Sequence, residues 1–264
     1  MSTWRTRVPV VGAIALLVSM AAASAQTAES RTITNENRLF QRFIEDGAVT
    51  AGAWVEPQFR FQRFGNRDVY TLGPVIAFNV AEDVELGGRI NLETLNFNPG
   101  GTQTGFSDME FYGKVRLTTA PSQVSIGALL KFPTGETSKG LGTGETDVAF
   151  FAGYRRDFRR ISLVANGGFR ITQDPDTTPP GLLEGESSIQ LGGAALFAVT
   201  SKTAGVVEAS YETERINGAG QDFRLTLGGE HRYNETFMTR IGLAWGSGGS
   251  APDFELIASG VYLF

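Results

Sequence analysis

Residues able to carry nucleophilic, acid–base or metal chemistry are sparse in this sequence. It has a single histidine, His231, and no cysteine. Thiolate sites and histidine pairs for a metal are therefore absent, and a Ser-His relay would need a partner from far along the chain. Carboxylates are plentiful, and two such as Glu93 and Glu110 could exchange protons. The run Gly140-Leu141-Gly142-Thr143-Gly144 has the glycines of a phosphate loop but not its Gly-Lys-Ser/Thr ending. No catalytic residue, metal or cofactor is expected, and the chain does not read as an enzyme.

The ionisable residues show a different regularity. Glu56 and Arg60, Arg89 and Glu93, then Glu110, Lys114 and Arg116, then Lys131, Asp147, Arg155, Arg170, Glu212, Arg224 and Arg240 all keep one parity within their segments. Side chains alternate sides along a strand, so these groups share one face. With Glu85, Asp108, Glu208, Glu214, Glu230, Arg232 and Glu255 they make ten basic and eleven acidic residues. The opposite face carries Val55, Phe59, Leu86, Phe111, Val115, Ile126, Leu130, Leu163, Ile241 and Leu243, with no charge inside the strands.

Elements that would position these faces are strands. From Thr50 onward the period is two, and twelve strands are expected: about 50–63, 69–80, 84–97, 107–119, 123–133, 146–157, 160–172, 188–200, 205–215, 222–232, 236–246 and 254–264. Short turns at 81–83, 120–122, 157–159, 201–204 and 233–235 alternate with longer Gly-, Pro- and Thr-rich loops at 98–106, 134–145, 173–187, 216–221 and 247–253. Outer-membrane barrels have this asymmetry of loops, and an even strand count puts both termini in the periplasm. Alternation by itself would also suit a soluble β-sandwich. Aromatic placement separates the two. Phe78, Tyr154, Phe197, Tyr233, Phe237, Tyr262 and Phe264 fall at one edge, and Phe61, Tyr70, Phe111, Phe132, Phe169, Phe223, Trp245 and Phe254 at the other. Rings at both interfaces of an aliphatic band suit lipid. The fold expected is all-β, a closed antiparallel up-and-down transmembrane barrel.

Ahead of the barrel, Arg5 and Arg7 precede an apolar run ending at Ala23-Ser24-Ala25, the pattern of a cleaved signal peptide over 1–25. Residues 26–47 read as a polar leader and a short amphipathic helix, with Leu39, Phe40, Phe43 and Ile44 at helical spacing and Gly47 as its stop. So short a helix must dock. A flap against the periplasmic end of the barrel is the expectation, and a plug in the lumen is the sharper alternative. The barrel itself spans 48–264. The closing stretch, with Phe254, Leu256, Tyr262 and Phe264 on one face, resembles the carboxy-terminal signal read by barrel-assembly machinery, an expected partner.

A net charge of −5 argues against nucleic acid. The expected partners are outer-membrane lipid and a small-molecule solute, in the outer membrane of a Gram-negative bacterium. Twelve strands enclose less than a wide porin does, and mixed charges narrow the space without a strong field. This supports a small channel or transporter lined by the fourteen residues named first above. A barrel whose charges only satisfy one another, working as a structural or surface-interaction protein, is the alternative.

Lys131-Phe132-Pro133-Thr134-Gly135, followed by Leu141-Gly142-Thr143-Gly144-Glu145-Thr146-Asp147, resembles the hairpin of the putative meta-pathway phenol-degradation family of outer-membrane transporters. Tyr112 to Leu117 and Gly153-Tyr154-Arg155 fit the same pattern. The resemblance implies passage of small, often aromatic or hydrophobic, compounds. From the residues alone, 134–145 either folds into the mouth, with Lys131 and Asp147 as a rim pair, or is ordinary turn chemistry. An outer-membrane phospholipase resembles such a barrel in strand number and carries a Ser two residues after its His; here that residue is Tyr233. A lipid-modifying enzyme is thus the weakest alternative.

Overall fold

The computed structural model describes residues 33–41, 43–175 and 184–264. The expected signal peptide, the mature start at Gln26 and most of the leader lie outside the described residues, as does the middle of the 173–187 loop.

Fourteen strand segments form one antiparallel sheet: β1 (Ala53–Arg63), β2 (Arg67–Ala81), β3 (Val84–Arg89), β4 (Leu92–Phe97), β5 (Thr102–Phe106), β6 (Met109–Thr118), β7 (Ser122–Phe132), β8 (Asp147–Phe158), β9 (Ile161–Ile171), β10 (Ser188–Ala198), β11 (Thr203–Glu212), β12 (Asp222–Arg232), β13 (Phe237–Ser247) and β14 (Phe254–Leu263). Both β3 and β4 pair with β2, so they are two halves of one stave broken at Ile90 and Asn91. The facing stave is likewise split, into β5 and β6, at Ser107 and Asp108, where Ser107 N donates to Asn91 O at 2.9 Å. The wall therefore has the twelve staves expected. It closes through β1 and β14, with Phe59 opposite Ala258 and Arg63 opposite Phe254, which leaves no unpaired edge.

One loop is shorter than its sequence suggested. Residues 102–106, expected as coil, pair with β4, with Leu92 opposite Phe106 and the Thr94 and Thr104 hydroxyls 3.0 Å apart. Threonines facing each other across two strands stabilise a pairing that glycine-rich flanks disguise.

The outer surface is as expected from parity. Leu72, Ile76, Leu117, Leu163, Leu191 and Ile241 are about half exposed, an apolar band far larger than soluble proteins tolerate. Ring contacts mark both rims. At the rim holding the short turns, Tyr233 stacks on Phe237 at 5.5 Å and Phe237 lies 4.6 Å from Tyr262. At the other, Phe61 meets Tyr70 at 5.1 Å, Phe111 meets Phe132 at 5.7 Å and Trp245 meets Phe254 at 6.3 Å. We call the first rim the terminal end and the second the loop end.

Residues 33–41 and 43–50 do not lie outside as a flap. They run inside the barrel, with Ile33, Arg38, Leu39, Phe40, Glu45, Asp46, Ala48, Val49 and Thr50 all buried. The helix expected over 35–46 is confined to one 3-10 turn, Phe43–Glu45. Helical spacing of Leu39, Phe40 and Ile44 reflects burial of the first two, and partial burial of Ile44, in the lumen core rather than a continuous helix. The reason lies in the backbone groups. The wall supplies partners for many of the groups that a helix would pair internally, among them Arg38 N, Phe40 N and Gln41 N and the carbonyls of Arg38, Leu39 and Phe40, so the extended path is not left without backbone bonds.

Candidate functional site

The lumen divides into a plugged terminal half and a chamber toward the loops. In the terminal half, inward side chains hold the plug by its main chain. Glu208 accepts from Phe40 N at 2.8 Å and Gln41 N at 3.0 Å. Glu230 accepts from Arg38 N at 3.3 Å and from the Asn37 amide at 2.8 Å. Arg240 donates to Arg38 O at 2.8 Å and Leu39 O at 2.7 Å while pairing with Glu56 at 2.8 Å and Glu230 at 2.7 Å. Arg155 donates to Thr34 O and Asn37 O and pairs with Asp46 at 3.0 Å. Lys114 donates to Ala48 O at 2.6 Å, and Arg60 to Phe40 O at 3.0 Å.

Two arginine–aromatic contacts complete the seal. The Arg240 guanidinium sits 4.6 Å over the Phe40 ring, and that of Arg38 sits 4.5 Å over Trp54. Phe40 fits because the wall beneath it is bare. A Cβ on Gly228 would overlap its ring, and one on Gly242 would crowd it. Arg38 is a cation supplied by the plug itself, bonded to Glu85 at 2.9 Å and to Thr50. Burial disfavours its charge, but Glu85, with Tyr112 and Asp46, more than offsets this and raises the guanidinium above its ordinary range.

Above the plug lies a chamber of about 200 Å3 whose floor is Gln41, Ile44 and Glu45. Arg60, Arg89, Glu110, Arg170, Glu212 and Arg224 face it, together with Arg215 and Asp222. Their pairing runs along the wall: Arg89 to Glu110 at 2.6 Å, Arg60 to Glu255 at 3.2 Å, and Arg224 to Asp222 at 2.5 Å and Glu255 at 3.2 Å. A second polar pocket of about 220 Å3 beside it takes in Glu93, Gln58 and Asn91 and shares Arg60, Arg89 and Arg224.

At the mouth, Lys131 pairs with Asp147 at 3.0 Å and stands 3.5 Å from Asp108. Asp108 accepts from Gly135 N at 2.9 Å and Thr143 N at 3.0 Å, so it ties both ends of the 134–145 loop to the wall. Leu141, near the loop's tip, is buried against Val69 and Leu95. The loop is thus folded onto the mouth rather than projecting from it.

Of the expected lining residues, Glu56, Lys114, Arg155 and Arg240 grip the plug. Arg89, Glu110, Arg170, Glu212 and Arg224 face the chamber, Arg60 reaches both, Glu93 faces the side pocket, and Lys131 and Asp147 stand at the mouth. Arg116 is set apart, pairing with Asp83 in a terminal-end turn at 2.6 Å. Leu39 and Phe40 are plug core and Ile44 is partly buried, while Phe43 opens the 3-10 turn. Site residues that sequence reasoning left out include Glu85, Asp108, Glu208, Glu230 and Glu255, although their parity already placed them inside. It also missed an inward apolar strip: Trp54, Val75, Tyr112, Leu129, Phe151 and Val164 are buried in the lumen. His231 is on the outer wall near the terminal rim, its Nδ1 3.0 Å from Thr203 Oγ1 and its ring against Tyr233.

Neither a family model nor a curated protein matches the sequence. Solved structures do match in shape. The chain is an outer-membrane-type β-barrel. An outer membrane channel from Pseudomonas putida F1 superposes with a TM-score of 0.67 at 13% identity, over 82% of this chain and 97% of that one. The KdgM porin, in complex with disordered oligogalacturonate, gives 0.55 at 10% identity over 79% and 99%. For the NanC porin the values are 0.52, 10%, 81% and 100%. At these identities the likeness is one of fold.

Proposed function

We propose that this protein is an outer-membrane channel for small solutes, held shut in this conformation by its own N-terminal segment. One observation carries the reading: a chamber lined by charged side chains ends on a floor made of Gln41, Ile44 and Glu45, which belong to the entering segment and not to the wall. A barrel that was merely filled by wall side chains would need no separate segment to seal it. Support also comes from the likeness to barrels described as channels and porins, and from the hairpin around Pro133 and Leu141, whose resemblance points to small aromatic or hydrophobic compounds. In this reading the terminal end faces the periplasm, β14 is offered to the assembly machinery, and the aliphatic band contacts lipid.

Planar-bilayer recording with the full chain and with a variant lacking residues 33–50 tests it. The full chain is expected to be closed or to open briefly, and the shortened one to conduct steadily at least tenfold more. A shortened barrel that shows the heat-shifted migration of a folded barrel yet stays closed to ions and small sugars would refute passage and leave a structural or surface-interaction barrel. That second reading draws on the number of buried bonds holding the plug.

A further inference from the structure

The chamber has an uneven wall, and its unevenness has a chemical meaning. On one side Tyr112 and Phe151 lie flat, because a Cβ on Gly87 would overlap the Tyr112 ring and one on Gly127 the Phe151 ring. Leu129 stands between them, opposite Tyr112 in the ladder and, on its other edge, opposite Ala149. Together they make a smooth apolar platform facing the chamber.

Beside this platform, Arg170 is directly opposite Ala149 in the ladder. It is a guanidinium with too few partners. Its Nε makes no hydrogen bond, and the nearest carboxylates, Glu212 and Asp147, stand 3.6 and 4.0 Å away. Both carboxylates have closer partners. Glu212 takes hydrogen bonds from Ser188 at 2.8 Å and Gln190 at 2.9 Å, and Asp147 pairs with Lys131 at 3.0 Å. Arg215 also lines the chamber, and among the described residues its side chain makes no hydrogen bond or ion pair. A largely buried guanidinium whose Nε lacks an acceptor is costly, and a carboxylate meets its fork with two parallel bonds.

We propose that the chamber binds a small aryl carboxylate, its ring on the Tyr112–Leu129–Phe151 platform and its carboxylate on Arg170 and Arg215. The proposal rests on the reading of this lumen as a solute path. A neutral aromatic compound would use the platform and leave Arg170 Nε and Arg215 without an acceptor, whereas inorganic phosphate would use the guanidiniums and leave the platform bare. Access exists, since the neighbouring Arg89 side chain is 32% exposed.

The test is equilibrium binding to the full chain in lipid nanodiscs at fixed salt, with benzoate and benzyl alcohol as probes. Benzoate should saturate and bind at least tenfold more tightly than benzyl alcohol, and Arg170→Gln should remove that preference. Arg215→Gln, outside the strands and without risk to the wall, should weaken benzoate at least threefold and leave benzyl alcohol unchanged. Equal affinity for the two probes, no saturation by benzoate, or a preference that survives both substitutions would overturn the site. Failure of this proposal and failure of the channel reading give different results. A conducting shortened barrel with no benzoate preference removes only the site, and benzoate binding by a barrel that never conducts removes only the channel.

Discussion

Both halves of the lumen are lined by basic and acidic side chains, yet one is sealed and the other is open. In the terminal half the charges reach across the barrel to the carbonyls and amides of residues 34–50, as Arg155, Arg240, Glu208 and Glu230 do. In the loop half most of them pair along the wall, as Arg89 does with Glu110, and leave the middle free. A count of charges therefore says little about whether a barrel is open. What decides it is whether those charges are bonded to each other or to a peptide backbone that has entered the space.

The sharpest break in this contrast is expected at Arg240. Its guanidinium bonds two carboxylates and two plug carbonyls, and removing it would leave Glu56 and Glu230 buried without their cation. Both carboxylate side chains are 1% exposed. Breaking such a buried arrangement costs about 3–5 kcal/mol. Arg240→Ala should lower the urea midpoint of the folded barrel and raise its open probability in bilayers. A variant as closed as the parent would show that the plug is held by shape and not by these bonds.

A smaller effect is expected at Glu208, which serves two plug amides. Glu208→Ala leaves Phe40 N and Gln41 N without an acceptor, at about 1–3 kcal/mol for a buried group. The strand itself loses nothing, so proteolytic cutting within residues 33–50 should rise while the barrel stays resistant. Gly228→Ala tests the packing side of the same seal. Its methyl would overlap the Phe40 ring, and overpacking of this kind costs about 1–3 kcal/mol. If Gly228→Ala opens the barrel and Glu208→Ala does not, the aromatic fit is the stronger latch.

How much of this was legible in the sequence follows from the same physics. The wall was legible because the period-two pattern fixes both faces at once, and a slip of one residue would put Arg60 or Glu255 into lipid. The closing pair β1 and β14 and the two aromatic rims followed from that register. The plug was not legible as a plug. Leu39, Phe40 and Ile44 have the spacing of a docked helix, and nothing local reveals that Glu208 and Glu230, some 170 to 190 residues away, will take over their backbone bonds. The lumen's apolar strip was hidden for a related reason. An inward Leu129 or Phe151 is covered by a segment that periodicity cannot place, so charge alone seemed to define the inner face. The 134–145 loop was half legible, with Lys131 and Asp147 recognisable as partners but Asp108 unnoticed at a break in the wall.

The smallest expected effect compares two ion pairs of one length at neighbouring heights. Arg60 to Glu255 and Arg63 to Asp68 both measure 3.2 Å. The first has side-chain exposures of 14% and 0%, the second 61% and 28%. Water competes for the outer pair and holds its ends apart at little cost, so Arg63→Gln should change stability by less than about 1 kcal/mol and leave conductance unaltered. Arg60→Gln removes one of the two cations on the buried Glu255, leaving only Arg224, and frees Phe40 O, so it should cost more. Folded-barrel urea midpoints measured for both variants decide the matter. Equal shifts would mean that the chamber is as wet as the rim, and the contrast between an open half and a sealed half would then lie in the plug alone.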